Sequence, residues 1–128
     1  VNKEKEGEGK VNYQVLESRG KKYLYILGES ALIQKESDVM DFISLAIEHD
    51  TRFMVFDNNI LSEDFLNLRT GLAGAVLQKF ANYNLKAAVI KDDQNFPMRF
   101  QEMVSDLSTS NTFQVFNNME DALNWLLA

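Results

Sequence analysis

Arg52-Phe-Met-Val-Phe-Asp-Asn-Asn59, Thr70-Gly-Leu-Ala-Gly-Ala-Val-Leu-Gln-Lys-Phe-Ala-Asn-Tyr-Asn84 and Leu85-Lys-Ala-Ala-Val-Ile-Lys91 decide the fold. Phe53 to Phe56 is a continuous apolar run, the pattern of a strand covered on both faces. A polar turn follows, then a helix over Gly71 to Tyr83, then a second strand from Leu85 to Ile90. Leu72, Val76, Leu77 and Phe80 recur at helical spacing and form the core side of that helix. Strand, helix, strand in this order is a β-α-β unit, which requires a parallel sheet around it.

Working outward, residues 1–10 alternate Lys, Glu and Gly and carry almost nothing to bury, so a frayed tail is expected there. Val11 to Arg19 alternates apolar and polar residues, Gly20-Lys21 supplies turn chemistry, and Lys22 to Leu27 is aromatic and branched. These read as a β-hairpin. Ser37 is positioned to cap a helix with Asp38 and Asp41 in its first turn and a stripe of Val39, Phe42, Ile43, Ala46 and Ile47. Ser62 can cap one further turn through Phe65. Beyond Lys91, Pro97 opens a helix with Phe100, Met103, Val104 and Leu107 on one side. Phe113 to Phe116 is a short strand, and Asn118 caps a last helix with Asp121 at the capping-box position.

The predicted order is β-β-α-β-α-β-α-β-α: one α/β domain over residues 11–128, with a largely parallel mixed sheet of about five strands and four helices. One strand of the hairpin supplies the antiparallel member, and the crossover rule is satisfied. Whether the helices cover one face or both is left open by the sequence. A length of 128 residues suits one domain, and 45% hydrophobic residues suffice for one core.

Composition narrows function. The chain has no Cys, which excludes disulfides, thiolate nucleophiles and Cys-based metal sites. A net charge of −6 with scattered basic residues argues against nucleic acid, which needs clustered Lys and Arg. No apolar run approaches the ~20 residues that span a bilayer, and no secretory signal is evident. A cytoplasmic protein is expected. With one His, His49 at a helix end, and no Gly-x-Ser-x-Gly elbow, a hydrolytic triad has no evident members. No catalytic residue, cofactor or metal is therefore assigned, and the reading leans away from an enzyme.

Ligands of open α/β sheets favour the carboxyl ends of the strands, where Asp57, Asn58, Thr70 and Asp92 should collect. Thr70 and Gly71 open the central helix, whose free amides suit an anion or a phosphate attached to the hydroxyl. A plain helix cap explains the same residues. Asp57 and Asp92 are oxygen donors of the kind Mg²⁺ takes, and equally ordinary loop acids. The helix itself carries one charge, Lys79. Opposite its core side stand Gly71, Gly74, Ala75, Gln78 and Asn82, where an exposed helix normally bears charge. Burial under a neighbouring element and a partner surface are both consistent with this.

The run Thr70 to Ile90, with Ser110-Asn111 and Glu120-Asp-Ala-Leu-Asn-Trp-Leu126, resembles an uncharacterised bacterial family known only as a domain of unknown function. That likeness implies no activity. In topology, the hairpin followed by alternating helices and strands is similar to the STAS fold of anti-sigma-factor antagonists. In that fold a hydroxyl at an Asp-Ser-x-Gly-Leu-like helix start is phosphorylated by a partner kinase. Thr70-Gly71-Leu72 occupies the comparable place, with Arg69 where the family has an acid. Together these features lead to the expectation of a non-enzymatic regulatory or interaction module using the 57–70 loop and the 71–83 helix. Its partner would be another protein or a second copy in a homodimer. The alternative is a small-molecule or phosphoryl-binding protein with an anion at Thr70 and Mg²⁺ at Asp57 and Asp92.

Overall fold

A computed structural model of the chain describes residues 3–6, 12–28, 32–57, 60–91 and 112–128. Six strands form one sheet in sequential order: β1 (Lys3–Glu6), β2 (Asn12–Ser18), β3 (Lys21–Leu27), β4 (Phe53–Asp57), β5 (Lys86–Ile90) and β6 (Phe113–Phe116). The pairings β1–β2 and β2–β3 are antiparallel, and β3–β4, β4–β5 and β5–β6 are parallel. The expected mixed, largely parallel sheet and its β-α-β unit are present. Lys3–Glu6, within the stretch expected to fray, instead lies along β2 as an edge strand, with Lys5 opposite Tyr13. The helices among the described residues are α1 (Val39–Glu48), α2 (Glu63–Leu66), α3 (Leu72–Asn82) and α4 (Met119–Leu126). The helix expected from Pro97 lies outside the described residues.

The hairpin turn is Arg19-Gly20, one residue earlier than expected, because Ser18 pairs with Lys21. Both turn residues have positive φ, 55° and 74°. This is the twist that a two-residue hairpin needs, and it is why a glycine sits there. Ser37 does not cap α1. It lies in a 3-10 turn, Glu36–Asp38, and the Asp38 carboxylate takes the loop amides of Gln34 and Lys35 at 2.9 and 3.1 Å. Ser62 does cap α2, its Oγ accepting from the Phe65 amide at 3.1 Å. Asn118 caps α4, accepting from the Asp121 amide at 2.9 Å and donating back to its carboxylate at 3.2 Å.

Side-chain alternation divides the core into two layers. Met54 and Phe56 of β4 join Leu24, Ile26, Ala87 and Val89 beneath α1, α2 and α3. On the other face Val55 packs with Tyr23, Leu126 and Leu127, with Phe53 and Trp125 alongside. Sequential strand order explains this asymmetry. When parallel strands are added always on the same side and every crossover has the same hand, the crossover helices fall on one face. The opposite face is left to α4, which follows the last strand. The Phe56 ring lies between Phe42 of α1 and Phe80 of α3, with centroids 5.4 and 5.9 Å away. Each such aromatic pair contributes about 0.5–1.5 kcal/mol beyond area burial.

Helices α1 and α3 end in the same way. Asp50 and Asn84 adopt left-handed backbone, φ 54° and 58°. The Thr51 amide then reaches the Ala46 carbonyl at 3.0 Å, and the Leu85 amide the Phe80 carbonyl at 2.8 Å. This is a Schellman ending with Asp and Asn where glycine is commonest. It turns each chain directly into the following strand.

Cations from the starts of the strands meet these helix ends. Lys22 donates to the His49 carbonyl at 3.0 Å, and Arg52 Nε to the Asn84 carbonyl at 2.9 Å. Around α4, Arg19, Lys86 and Lys21 donate to the carbonyls of Leu123, Trp125 and Leu127 at 3.1, 2.8 and 3.0 Å. Neither α1 nor α4 has a basic residue in its own last turn. The negative helix ends are therefore matched from outside the helix.

Replacing Asp50 by Gly should stabilise the fold by about 0.5–1 kcal/mol, since glycine adopts the left-handed backbone without a Cβ penalty. Chemical denaturation of the two chains measures this, and a loss of stability would mean that the Asp50 side chain has a role the backbone does not reveal.

Candidate functional site

At the carboxyl ends of the parallel strands, where ligands were expected, the described parts of the connections pack apolar side chains. Ile33 and Ile60 are fully buried there, and Phe65 of α2 is buried against Phe113, the first residue of β6. A parallel bridge joins Ile33 to Leu61, and the Leu32 and Ile33 amides both donate to the Ile60 carbonyl, at 2.8 and 3.1 Å. Residues 60–61 of the 57–70 connection thus pack along residues 32–33, beyond the ends of β3 and β4. Asn58 and Asp92 lie outside the described residues. Asp57 is half-buried and, by the alternation of β4, shares the face of Phe53 and Val55. It sits near Tyr25, whose hydroxyl is held above its ordinary pKa by burial first and by the Asp57 carboxylate second.

Thr70, by contrast, opens α3 on the other face. Its hydroxyl is engaged locally: it accepts from the Leu72 amide at 3.2 Å and has the Asp64 and Asn67 carbonyls at 2.6 and 2.9 Å for its one hydrogen. The helix N-cap is Gly71, at φ 74°, a backbone conformation that excludes most side chains. Thr70 therefore fastens α2, the intervening 3-10 turn Leu68–Thr70 and α3 together. Asp57 thus faces the α4 side of the sheet by strand alternation, while Thr70 leads into α3 on the other side. No group of three or more His, Asp or Glu side chains suited to a metal occurs among the described residues.

The outward side of α3 is exposed at Gly71, Gly74, Gln78, Ala81 and Asn82. Polar groups there pair with each other, the Gln78 amide donating to Asn82 Oδ1 at 3.0 Å. A Cβ built on Gly74 meets nothing within 4 Å. Its absence is therefore not required for packing inside one molecule. Lys79 points away from this strip, its Nζ 3.8 Å from Glu36.

At the opposite, amino end of the parallel strands lies a concavity that the sequence reading did not single out. It is an open groove of about 550 Å³ between the ends of α1 and α3 and the start of β4. Ile47, expected in the core stripe of α1, lines it and is 71% exposed. The helix ends one residue later, at Glu48, and Ile47 lies in its last turn. A sequence signal existed: Lys21 and Lys22 open β3, Arg52 precedes β4 and Lys86 opens β5, so cations gather at one pole. His49, at the end of α1, is half-buried, its Nε2 3.0 Å from the hydroxyl of buried Tyr13.

Thr70→Val, which keeps shape and removes the hydroxyl, should cost about 1–2 kcal/mol through loss of the Leu72 and carbonyl hydrogen bonds. A urea titration of purified protein reads this without any ligand or kinase, and an unchanged midpoint would deny the hydroxyl its structural role.

No helix among the described residues is long and apolar enough to cross a membrane. Among curated proteins none matches the chain. The family described as Domain of unknown function (DUF4180) matches residues 18–126, from the hairpin turn to the end of α4. The chain belongs to that family.

Proposed function

We propose that this protein is a non-enzymatic regulatory or interaction module of the cytoplasm, with a STAS-like fold, whose contact surface is the outward side of α3 with the adjoining 57–70 connection. One observation carries the reading: Gly71, Gly74, Gln78 and Asn82 face solvent on one helix without a charge. A helix side left to water ordinarily carries Lys and Glu. Small uncharged side chains let a second backbone approach closely. Gly74, with open space where a Cβ would stand, weakens the helix by about 0.5–1 kcal/mol relative to Ala. A close-packed partner is the natural reason to keep it. The antiparallel lead-in and the alternating helices and strands support the STAS-like assignment at the level of topology.

The alternative anion and Mg²⁺ site has less support. Thr70 is bonded to backbone, and Asp57 belongs to the opposite face.

Two substitutions at Gly74 separate fold from contact. Gly74→Ala should raise the stability of the monomer by about 0.5–1 kcal/mol. Gly74→Arg should leave folding intact and abolish self-association or partner recovery, read by multi-angle light scattering after size exclusion and by pull-down. If wild type is monomeric, recovers no partner, and both variants behave alike, the reading fails.

A further inference from the structure

The groove at the amino end of the parallel strands has two unlike walls. Ile43, Ala46 and Ile47 of α1 form an aliphatic side, continued by Leu85. Tyr83, at the end of α3, also lines it and is 48% exposed. Two large apolar side chains, Ile47 and Tyr83, thus stand in water around one concavity. The charged lining is Lys21, Lys22 and Arg52 against Asp50 alone. The whole chain has the reverse balance, 13 basic residues to 19 acidic.

Helix ends explain part of this. Each carries roughly half a negative charge, and Lys22 and Arg52 each donate to one. Lys21 likewise donates to the Leu127 carbonyl at the end of α4, and three half charges with one carboxylate still fall short of three cations, so the groove keeps a positive excess. None of the three cations forms an ion pair with a carboxylate among the described residues. Lys86, close by, is held below its ordinary pKa by burial and then by Arg52 and Lys21, as crowded cations would be.

Arg52 is also held in place. Its Nε donates to the Asn84 carbonyl at 2.9 Å and Nη2 to Asn84 Oδ1 at 3.2 Å, with the Phe53 ring 5.3 Å from Cζ. One residue fixes the guanidinium plane and leaves further N–H groups for a ligand. A planar fork so arranged matches a carboxylate. Lys22 lies at the end of α1 and Arg52 at the end of α3, so the positive charge is spread along the groove rather than focused on one point. That distribution fits an extended chain better than a single compact anion.

We propose that this groove docks an acidic peptide segment of a partner protein, one carrying a carboxylate close in sequence to a large apolar side chain. The carboxylate pairs with Arg52. The apolar side chain enters between Ile43, Ile47 and Tyr83, and Lys22 meets a further acid of the segment. The site is separate from the outward side of α3 and can exist whether or not that surface binds anything.

The test uses the full chain and an arrayed library of fluorescent peptides in a Gly-Ser frame. Each peptide carries Glu paired with Leu, Phe or Trp at varied spacing, with Lys-for-Glu and Ser-for-apolar counterparts. Fluorescence polarisation should rank the Glu–apolar peptides about tenfold or more above both counterparts, the loss expected for a charge-assisted contact or a buried anchor. Amide chemical shifts should move at Ile47, Thr51 and Asn84. Arg52→Gln and Ile47→Ser should each weaken binding about tenfold, and Ile47, being exposed, can be replaced without unfolding the protein. Gly74→Arg should leave peptide binding unchanged. Equal binding of all peptides, shifts confined to other surfaces, or unaffected variants would overturn the proposal. So would binding of decanoate without any preference among peptides, which would make the groove a small-molecule site.

Discussion

The Phe56 ring, gripped between Phe42 of α1 and Phe80 of α3, is the contact on which the arrangement depends. It ties two crossover helices to the middle of the sheet and to each other. Strands added in sequential order leave both crossovers no choice of face. Because α1 and α3 run side by side, their ends fall together at the amino end of the parallel strands. The groove exists because two helices of similar length stop at the same level, each turned back by a left-handed residue. Packing at Phe56 and the open concavity below it are consequences of one topology.

Charge follows the same axis. The acids Asp41, Glu63, Asp64, Glu120 and Asp121 occupy first turns of helices. Lys21, Lys22, Arg52 and Lys86 occupy or adjoin the first residues of strands. In a parallel α/β layer, helix starts and strand starts lie at opposite ends of the molecule. Favourable local pairing with each helix dipole therefore accumulates into a basic pole on an acidic protein. The cations that hold the helix ends are the same ones that make the groove positive. In the proposed docking, stability and recognition share these residues, so their roles are separated only by comparing folding with binding in the same variants.

The two surfaces singled out on α3 differ in kind. Its outward side is flat, small-featured and uncharged, suited to close approach of another helix. Its end, at Tyr83 and Asn84, is concave, charged and partly aromatic, suited to a chain that enters it. Continuity along one helix places them side by side. The apolar packing of Ile33 and Ile60 beyond the carboxyl ends of β3 and β4 contrasts with both.

The sequence by itself determined the strands β2 to β6 but not β1, the α3 boundaries, the caps at Ser62 and Asn118, and the oddly uncharged side of α3. Each of these depends on residues close together in the chain. Turn chemistry was legible only to within a residue, since the register of β2 on β3 decides that Arg19 and not Lys21 bends. Tertiary structure alone decided that α1 and α3 share a face while α4 takes the other, because that follows from strand order. It also decided that Ile47, apolar and in phase with its helix, ends in water, because periodicity does not say where the sheet stops. The groove drew Lys21, Lys22, Arg52 and Tyr83 from segments far apart in the chain. Four strand-starting cations were visible in the sequence, but only the parallel arrangement brings strand starts to one pole.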